Sequence, residues 1–284
     1  SKINNEFIVL GGIYTICVIK LMPSVNRILS SFQRIRYSMP VIDNIRKELT
    51  SVNDQKKSLE IKDFNKINVK SLSFTYPKSV KKNLLDIDLE ITKGKIYGII
   101  GTSGSGKSTL VNIISGLLNP DQGKIKIDNQ SFPNFECLRN LIGYMPQNIF
   151  LLDDSIAHNI ALGVNKEKID FNKIKQLLQN VKLDTFIKSL PNGLHTMVGE
   201  RGAMLSGGQL QRLGLARALY KNPSILIFDE FTSSLDKLTE IEILNNIKML
   251  KGSKTLIISS HSDEVKKICD KIYVIENGKI ILNQ

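Results

Sequence analysis

Three hydrophobic patterns follow one another along the chain. Residues Phe7 to Met22 are almost entirely apolar, with Lys20 the only charge. The run falls short of the ~20 residues that cross a bilayer, and it has neither the basic start nor the small-residue cleavage site of a signal peptide. A buried core helix and the cut end of a transmembrane helix both fit it. Pro23 to Leu49 favours the second: Val25, Ile28, Leu29, Phe32, Ile35 and Met39 recur at helical spacing. Arg27, Arg34, Arg36, Arg46 and Lys47 supply the basic excess found where a span emerges into cytoplasm. A lipid-surface or calmodulin-type helix carries a similar pattern. These segments give a partial transmembrane helix over 1–22 and a cytoplasmic helical extension over 23–50. The polar stretch Ser51 to Ser58 opens a linker over 51–65.

From Ile67 the period changes to that of strands. Ile67 to Tyr76 alternates loosely, and Leu84 to Ile91 clearly, placing Leu85, Ile87, Leu89 and Ile91 on one face. Ile125-Lys126-Ile127 and Ile142-Gly143-Tyr144-Met145 read as short strands. Ile225 to Phe228 and Thr255 to Ile258 are fully apolar, as buried parallel strands are. Residues 154–190 read as helical, a second helix starts at Gly207 and runs through Leu219, and Lys271 to Leu282 reads as a hairpin turning at Asn277-Gly278.

The chemistry lies between these elements. Ile96 to Ile100 is followed by Gly101-Thr102-Ser103-Gly104-Ser105-Gly106-Lys107-Ser108-Thr109 and then by the helical run from Leu110. Strand, glycine loop and helix are the setting in which a G-x-x-x-x-G-K-S/T match marks a phosphate site. The glycines let successive N–H groups face one anion, and the helix adds its positive end. Lys107 reaches the β- and γ-phosphates of a nucleoside triphosphate, and the Ser108 hydroxyl ligates Mg²⁺. A Gly/Ser-rich surface turn would need neither the lysine nor the buried flanks. Strand 225–228 ends in Asp229-Glu230. Asp229, at the tip of a parallel strand beside such a loop, is placed to hold Mg²⁺ through its water shell. Glu230 projects differently and is the candidate general base for an attacking water.

Composition narrows the class only a little. The 284 residues have room for one large domain with an appendage, and 23% charged residues argue against disorder. The net charge of +12 suits nucleic acid, an anionic membrane face or a lysine-rich nucleotide-binding surface. Cys17, Cys137 and Cys269 show no C-x-x-C spacing and read as free thiols in a reducing compartment. A chain opening on Ser1 and not on Met is expected of a fragment or of a processed chain.

Leu205-Ser206-Gly207-Gly208-Gln209, followed by Leu210-Gln211-Arg212, resembles the signature of ATP-binding-cassette ATPases, and the ordered set of motifs from Tyr76 onward is similar to that family. The resemblance implies a P-loop NTPase cassette of α/β class: a RecA-like mixed sheet core, an antiparallel β subdomain and an α-helical signature subdomain. This cassette spans 66–284, behind a helical membrane-domain remnant. By the same resemblance Tyr76 stacks on adenine, and Gln147 touches Mg²⁺ and the water while sensing the transmembrane partner. Ser233 to Asp236 links the two active sites, with Asp236 a nucleotide-site residue, and His261 contacts the γ-phosphate. Ser206, Gly207, Gly208 and Gln209 start a helix whose anion-binding end faces the γ-phosphate held by another subunit's glycine loop. The implied partners are therefore a second cassette, as a head-to-tail homodimer holding ATP and Mg²⁺, together with a transmembrane domain and the membrane, and no nucleic acid.

Pro146 to Ile156 and Val198-Gly199-Glu200-Arg201-Gly202 resemble exporter-type cassettes, and Leu21 to Ile28 resembles bacterial flippases for lipid-linked oligosaccharides. The expected function is ATP hydrolysis driving export or flipping across the bacterial inner membrane, with the cassette on the cytoplasmic side. The alternative is a soluble, non-transport ATPase of DNA repair or translation. It is favoured only by the charge, since neither a coiled coil between the two nucleotide motifs nor a second cassette is present in the sequence.

Overall fold

The computed structural model describes residues 2–53, 61, 63–77, 79, 82–132, 135–199, 205–232 and 237–283. The chain divides into two units, Ser1–Ser58 and Leu59–Gln284. The first is a single helix, α1 (Lys2–Asn53), which runs through Pro23 and Pro40. Leu10–Arg46 is long and apolar enough to cross a membrane, by length and composition, and none of it is buried. The helical stripe on both sides of Pro23 keeps the two sequence segments in one helix, at the cost of the hydrogen bond that each proline cannot donate. α1 also takes in Ser51 to Asn53, the first residues of the expected linker, while 54–60 lie outside the described residues.

The second unit begins with β1 (Lys66–Phe74), β2 (Leu84–Thr92), β3 (Ile96–Ile100), α2 (Lys107–Ile114), β4 (Gln122–Ile127), β5 (Gln130–Phe132) and β6 (Ile142–Met145). Helices α3 (Ile156–Ile160), α4 (Phe171–Asn180), α5 (Asp184–Ser189) and α6 (Gly207–Tyr220) follow. The end alternates β7 (Ile225–Asp229), α7 (Lys237–Lys248), β8 (Thr255–Ser260), α8 (Asp263–Ile268), β9 (Lys271–Glu276) and β10 (Lys279–Asn283). One sheet is antiparallel in the order β2-β1-β4-β5; the other runs β10-β9-β3-β8-β7-β6. In the second, β9, β3, β8, β7 and β6 are parallel and only β10 runs against them.

β3, β7 and β8 are buried along their whole length, because both faces of this sheet are covered. Ile225, Ile227 and Ile257 share one core with Leu110, Val111 and Ile114 of α2. Leu226, Phe228 and Ile258, which alternate with them, face a second core with Leu213, Ala216 and Leu219 of α6. Two expectations are corrected. On β2 the buried partner of Ile87, Leu89 and Ile91 is Leu84, not Leu85. A bulge pairing Leu72 with Ile87 and Phe74 with Leu84, with Asp86 at φ 49°, shifts the alternation by one residue. Residues 154–190 are not one helical stretch but α3, α4 and α5, with one short 3₁₀ turn, Lys166–Lys168, between α3 and α4. Gly163 (φ 79°) and Lys182 (φ 55°) interrupt it, and Asp170 caps α4 by accepting from Lys173 N at 3.0 Å. The β9–β10 hairpin turns at Asn277 (φ 46°) and Gly278 (φ 76°), the two left-handed residues of a type I′ turn.

The carboxyl ends of parallel strands β3, β8, β7 and β6 point to one edge of the sheet. Ligand sites of open α/β sheets form there.

Candidate functional site

The glycine loop leaves β3 at Ile100 and enters α2 at Lys107. Gly104 (φ 76°) and Gly106 (φ 112°) adopt left-handed backbone that other residues rarely take. At Gly101 an added Cβ would lie 2.4 Å from Ile275 O and 2.6 Å from Ser105 Oγ. The terminal hairpin buttresses the loop: Gly278 N donates to Ser105 O at 3.0 Å. Leu110 N–H, donating to Gly106 O at 2.9 Å, is the first in α2 to find a backbone acceptor. The N–H groups of Lys107, Ser108 and Thr109 have none among the described residues, so the positive end of the helix dipole opens into the loop.

Lys107 is 4% exposed. Its ammonium donates to Gly101 O and Thr102 O, both at 3.0 Å, and pairs with Glu230 Oε1 at 2.9 Å. Ser105 Oγ is buried beside it without a hydrogen-bond partner among the described residues. Free amides, a buried cation, an orphaned hydroxyl and a cradle that a methyl group would fill all fit a polyphosphate.

Asp229 ends β7 and is held by three hydroxyls. Ser108 Oγ donates to Oδ1 at 3.2 Å, Ser259 Oγ donates to the same oxygen, and Tyr144 OH donates to Oδ2 at 3.3 Å. Burial, and then the charge of Asp229, push the Tyr144 phenol well above its ordinary pKa, so it stays a donor. Glu230 has φ 45°, and its N–H donates to Ser259 O and Oγ, both at 3.1 Å. This left-handed turn swings the Glu230 carboxylate away from that of Asp229. One oxygen faces Lys107, and the other accepts from Gln147 Nε2 at 3.2 Å. Ser259 thus holds the Asp229 carboxylate through its hydroxyl proton and the Glu230 backbone N–H through its carbonyl and hydroxyl oxygens.

The remaining site residues lie around this centre. His261, just beyond β8, is exposed and borders a cavity of about 370 Å³ with Glu230, Thr232 and Ser260. Tyr76 is 38% exposed. Its ring meets Phe74 edge-on at 4.9 Å, and its hydroxyl lies 3.4 Å from Thr109 Oγ1 at the start of α2. Ser206 caps α6: its hydroxyl accepts from Gln209 N at 3.3 Å, and its N–H donates to Gln209 Oε1 at 2.9 Å. This capping box commits the Gln209 side chain to the fold and leaves Ser206 and Gly207 exposed. Asp236, with Ser233 to Leu235, and Glu200-Arg201-Gly202 lie outside the described residues.

The structure therefore gathers Gly101 to Thr109, Gln147, Asp229, Glu230 and His261 at one sheet edge, with Tyr76 beside α2. Ser259 and Tyr144 escaped the sequence reading. For Ser259 the signal was a polar side chain on a fully buried strand beside β3, which feeds the phosphate loop; Tyr144, on the partly buried edge strand β6, gave none.

The family model described as ABC transporter matches residues 84–233. A probable ABC transporter ATP-binding/permease protein of Haemophilus influenzae is 35% identical over 235 residues, covering 82% of this chain and 42% of that protein. An ATP-dependent lipid A-core flippase of Wigglesworthia glossinidia brevipalpis is 39% identical over 217 residues, 76% of this chain and 37% of the flippase. Among solved structures, a bacterial Atm1-family ABC exporter with ATP bound aligns with a TM-score of 0.71 and 29% identity, over 85% of this chain and 44% of that one. The chain spans less than half the length of these relatives. Motif order, site geometry and these similarities agree that the chain belongs to the ABC transporter family, whose matched residues 84–233 lie within the unit Leu59–Gln284.

Proposed function

We propose that this chain is the C-terminal part of a bacterial exporter half-transporter, and that its cassette hydrolyses ATP to drive export or flipping across the inner membrane from the cytoplasmic side. The observation that carries this reading is the position of Glu230, braced between Lys107 and Gln147 beside the loop that fits a polyphosphate. Lys107 and the free amides of α2 bind the β- and γ-phosphates. Ser108, Asp229 and Gln147 would hold Mg²⁺, which when bound neutralises charge on the phosphoryl oxygens. Tyr144 and Ser259 fix the carboxylate of Asp229 so that one oxygen faces Ser108. Glu230 orients an attacking water and takes its proton, and His261, which borders the same cavity, contacts the γ-phosphate. Tyr76 offers its exposed ring to adenine.

The capping box turns the start of α6 outward, which supports a head-to-tail homodimer. In it, Ser206, Gly207 and Gly208 of one chain meet the phosphates held by Lys107 of the other, and Asp236 bridges the two sites. Closure of that dimer moves the membrane helices to which α1 belongs. Flippases among the relatives, together with the Leu21 to Ile28 segment, favour a lipid-linked glycan as cargo. Phosphate release and nucleotide binding test the assignment together. Glu230→Gln should bind ATP but stop turnover, whereas Asp229→Asn should lose Mg²⁺-dependent affinity. A Glu230→Gln chain turning over at the wild-type rate would refute it.

A further inference from the structure

Helix α6 carries the signature at its first turn, yet its most buried polar contacts are made further along. Gln211 is 6% exposed, and its amide donates to Phe231 O, the carbonyl next after Glu230. Two turns on, Arg217 NH1 donates to Phe150 O at 2.7 Å, three residues beyond Gln147. The same guanidinium reaches Asn159 O at 2.8 Å and Asn159 Oδ1 at 3.1 Å. Asn159 is fully buried and itself holds the loop: its Oδ1 accepts from Leu152 N at 2.9 Å, and its Nδ2 donates to Leu152 O at 3.0 Å. Between the two grips, Gly214 lets the loop lie directly on the helix, since an added Cβ would stand 2.6 Å from Ile149 Cδ1. Gln147 and Glu230, 3.2 Å apart through their side chains, are therefore both mounted on one rigid stretch. Gln211 and Arg217 are separated by roughly 9 Å at 1.5 Å per residue.

We propose that Arg217 and Gln211 are positioning residues through which α6 sets the contact between Gln147 and Glu230. Among the described residues, neither hydrogen-bonds to the glycine loop. Arg217, with Asn159, makes the segment after Gln147 follow the helix, and Gln211 ties the turn after Glu230 to the same helix. Displacement of Ser206 at the helix start then changes the geometry around the general base. This inference rests on Glu230 and Gln147 serving hydrolysis as proposed above.

The test is a double-mutant cycle on this chain, with ATP turnover and nucleotide affinity both measured. Arg217→Lys keeps the charge and loses the fork. It should lower kcat by about ten- to a hundredfold, as a 1 Å misplacement does, while KM stays within about twofold. In a Gln147→Ala background the same substitution should cost little more, because the contact it serves is already gone. A structural role alone predicts equal losses in both backgrounds, and that result, or no loss in the wild-type background, overturns the proposal. Should Arg217→Lys not fold, Gln211→Met is read by its kcat loss at unchanged KM, and unchanged turnover overturns the role of α6. If the wild-type chain itself does not hydrolyse ATP, the proposed function fails. Hydrogen exchange then decides this inference separately: faster exchange at Leu152 N–H in Arg217→Lys upholds the grip, and unchanged exchange overturns it.

Discussion

The ion pair between Lys107 and Glu230 makes a quantitative demand on nucleotide binding. The two side chains are 3% and 19% exposed and meet at 2.9 Å, so a phosphate that engages Lys107 must first displace a carboxylate. Glu230→Gln keeps the size and an acceptor oxygen but removes the charge. The ammonium still donates to the amide oxygen of the variant, so what is lost is the charge–charge attraction, on the order of 1 kcal/mol for a partly screened pair. The substitution therefore lowers the cost of displacement by about 1 kcal/mol, which is about fivefold in Kd. Loss of the carboxylate's repulsion toward phosphate acts in the same direction. The assay is titration of a fluorescent ATP analogue without Mg²⁺. Both proteins carry Ser206→Arg, so that subunit association does not contribute. Equal or weaker binding by the Glu230→Gln chain would refute the reasoning, because Lys107 would then not be held by Glu230 in solution.

Three further outcomes are expected. Tyr76→Ala should weaken ATP binding by ~1–3 kcal/mol, the scale of base–aromatic stacking, while Tyr76→Phe loses only the 3.4 Å contact to Thr109 and should bind nearly as well; equal losses would exclude stacking. Gly101→Ala forces a Cβ to within 2.4 Å of a backbone oxygen and should cost ~1–3 kcal/mol of stability in a thermal melt, as overpacking does. Gly207→Ala meets open space and should melt normally, so equal melting of the two variants would contradict this placement of the loop. Burial pushes the thiol of Cys137 up to about 11, and burial with the charge of Asp270 pushes that of Cys269 up to about 12. Both should stay protonated and resist iodoacetamide at pH 8, reacting only after denaturation, as peptide mass spectrometry would show.

Much of the site was legible because its chemistry is local. Gly101 to Thr109 encodes strand exit, left-handed turns and helix entry within nine residues, and the helix start at Ser206-Gly207-Gly208-Gln209 is a four-residue pattern. Asn277-Gly278 likewise encodes its own turn. What stayed hidden depends on pairing across the chain. That Ser259 holds both Asp229 and Glu230 follows from β8 lying beside β7, and no pattern near Ser259 states it. The bulge at Asp86, which buries Leu84 in place of Leu85, depends on the register of β1 against β2. Residues 154–190 kept helical spacing on paper because their apolar residues serve several short helices that cover one core. The polar stretch from Ser51 lacks a breaker before Asn53, so α1 continues into it.

The account turns on a composite site in which Ser206 of one chain closes on the nucleotide held by Lys107 of another. The most direct measurement is the particle mass of the Glu230→Gln chain by light scattering, with and without MgATP, alone and combined with Ser206→Arg. Bound ATP that is not hydrolysed should double the protein mass of the Glu230→Gln particle, and adding Ser206→Arg should abolish the doubling without abolishing nucleotide binding. A Glu230→Gln chain that binds MgATP yet keeps its nucleotide-free mass, or one that doubles equally with Ser206→Arg in place, would contradict it.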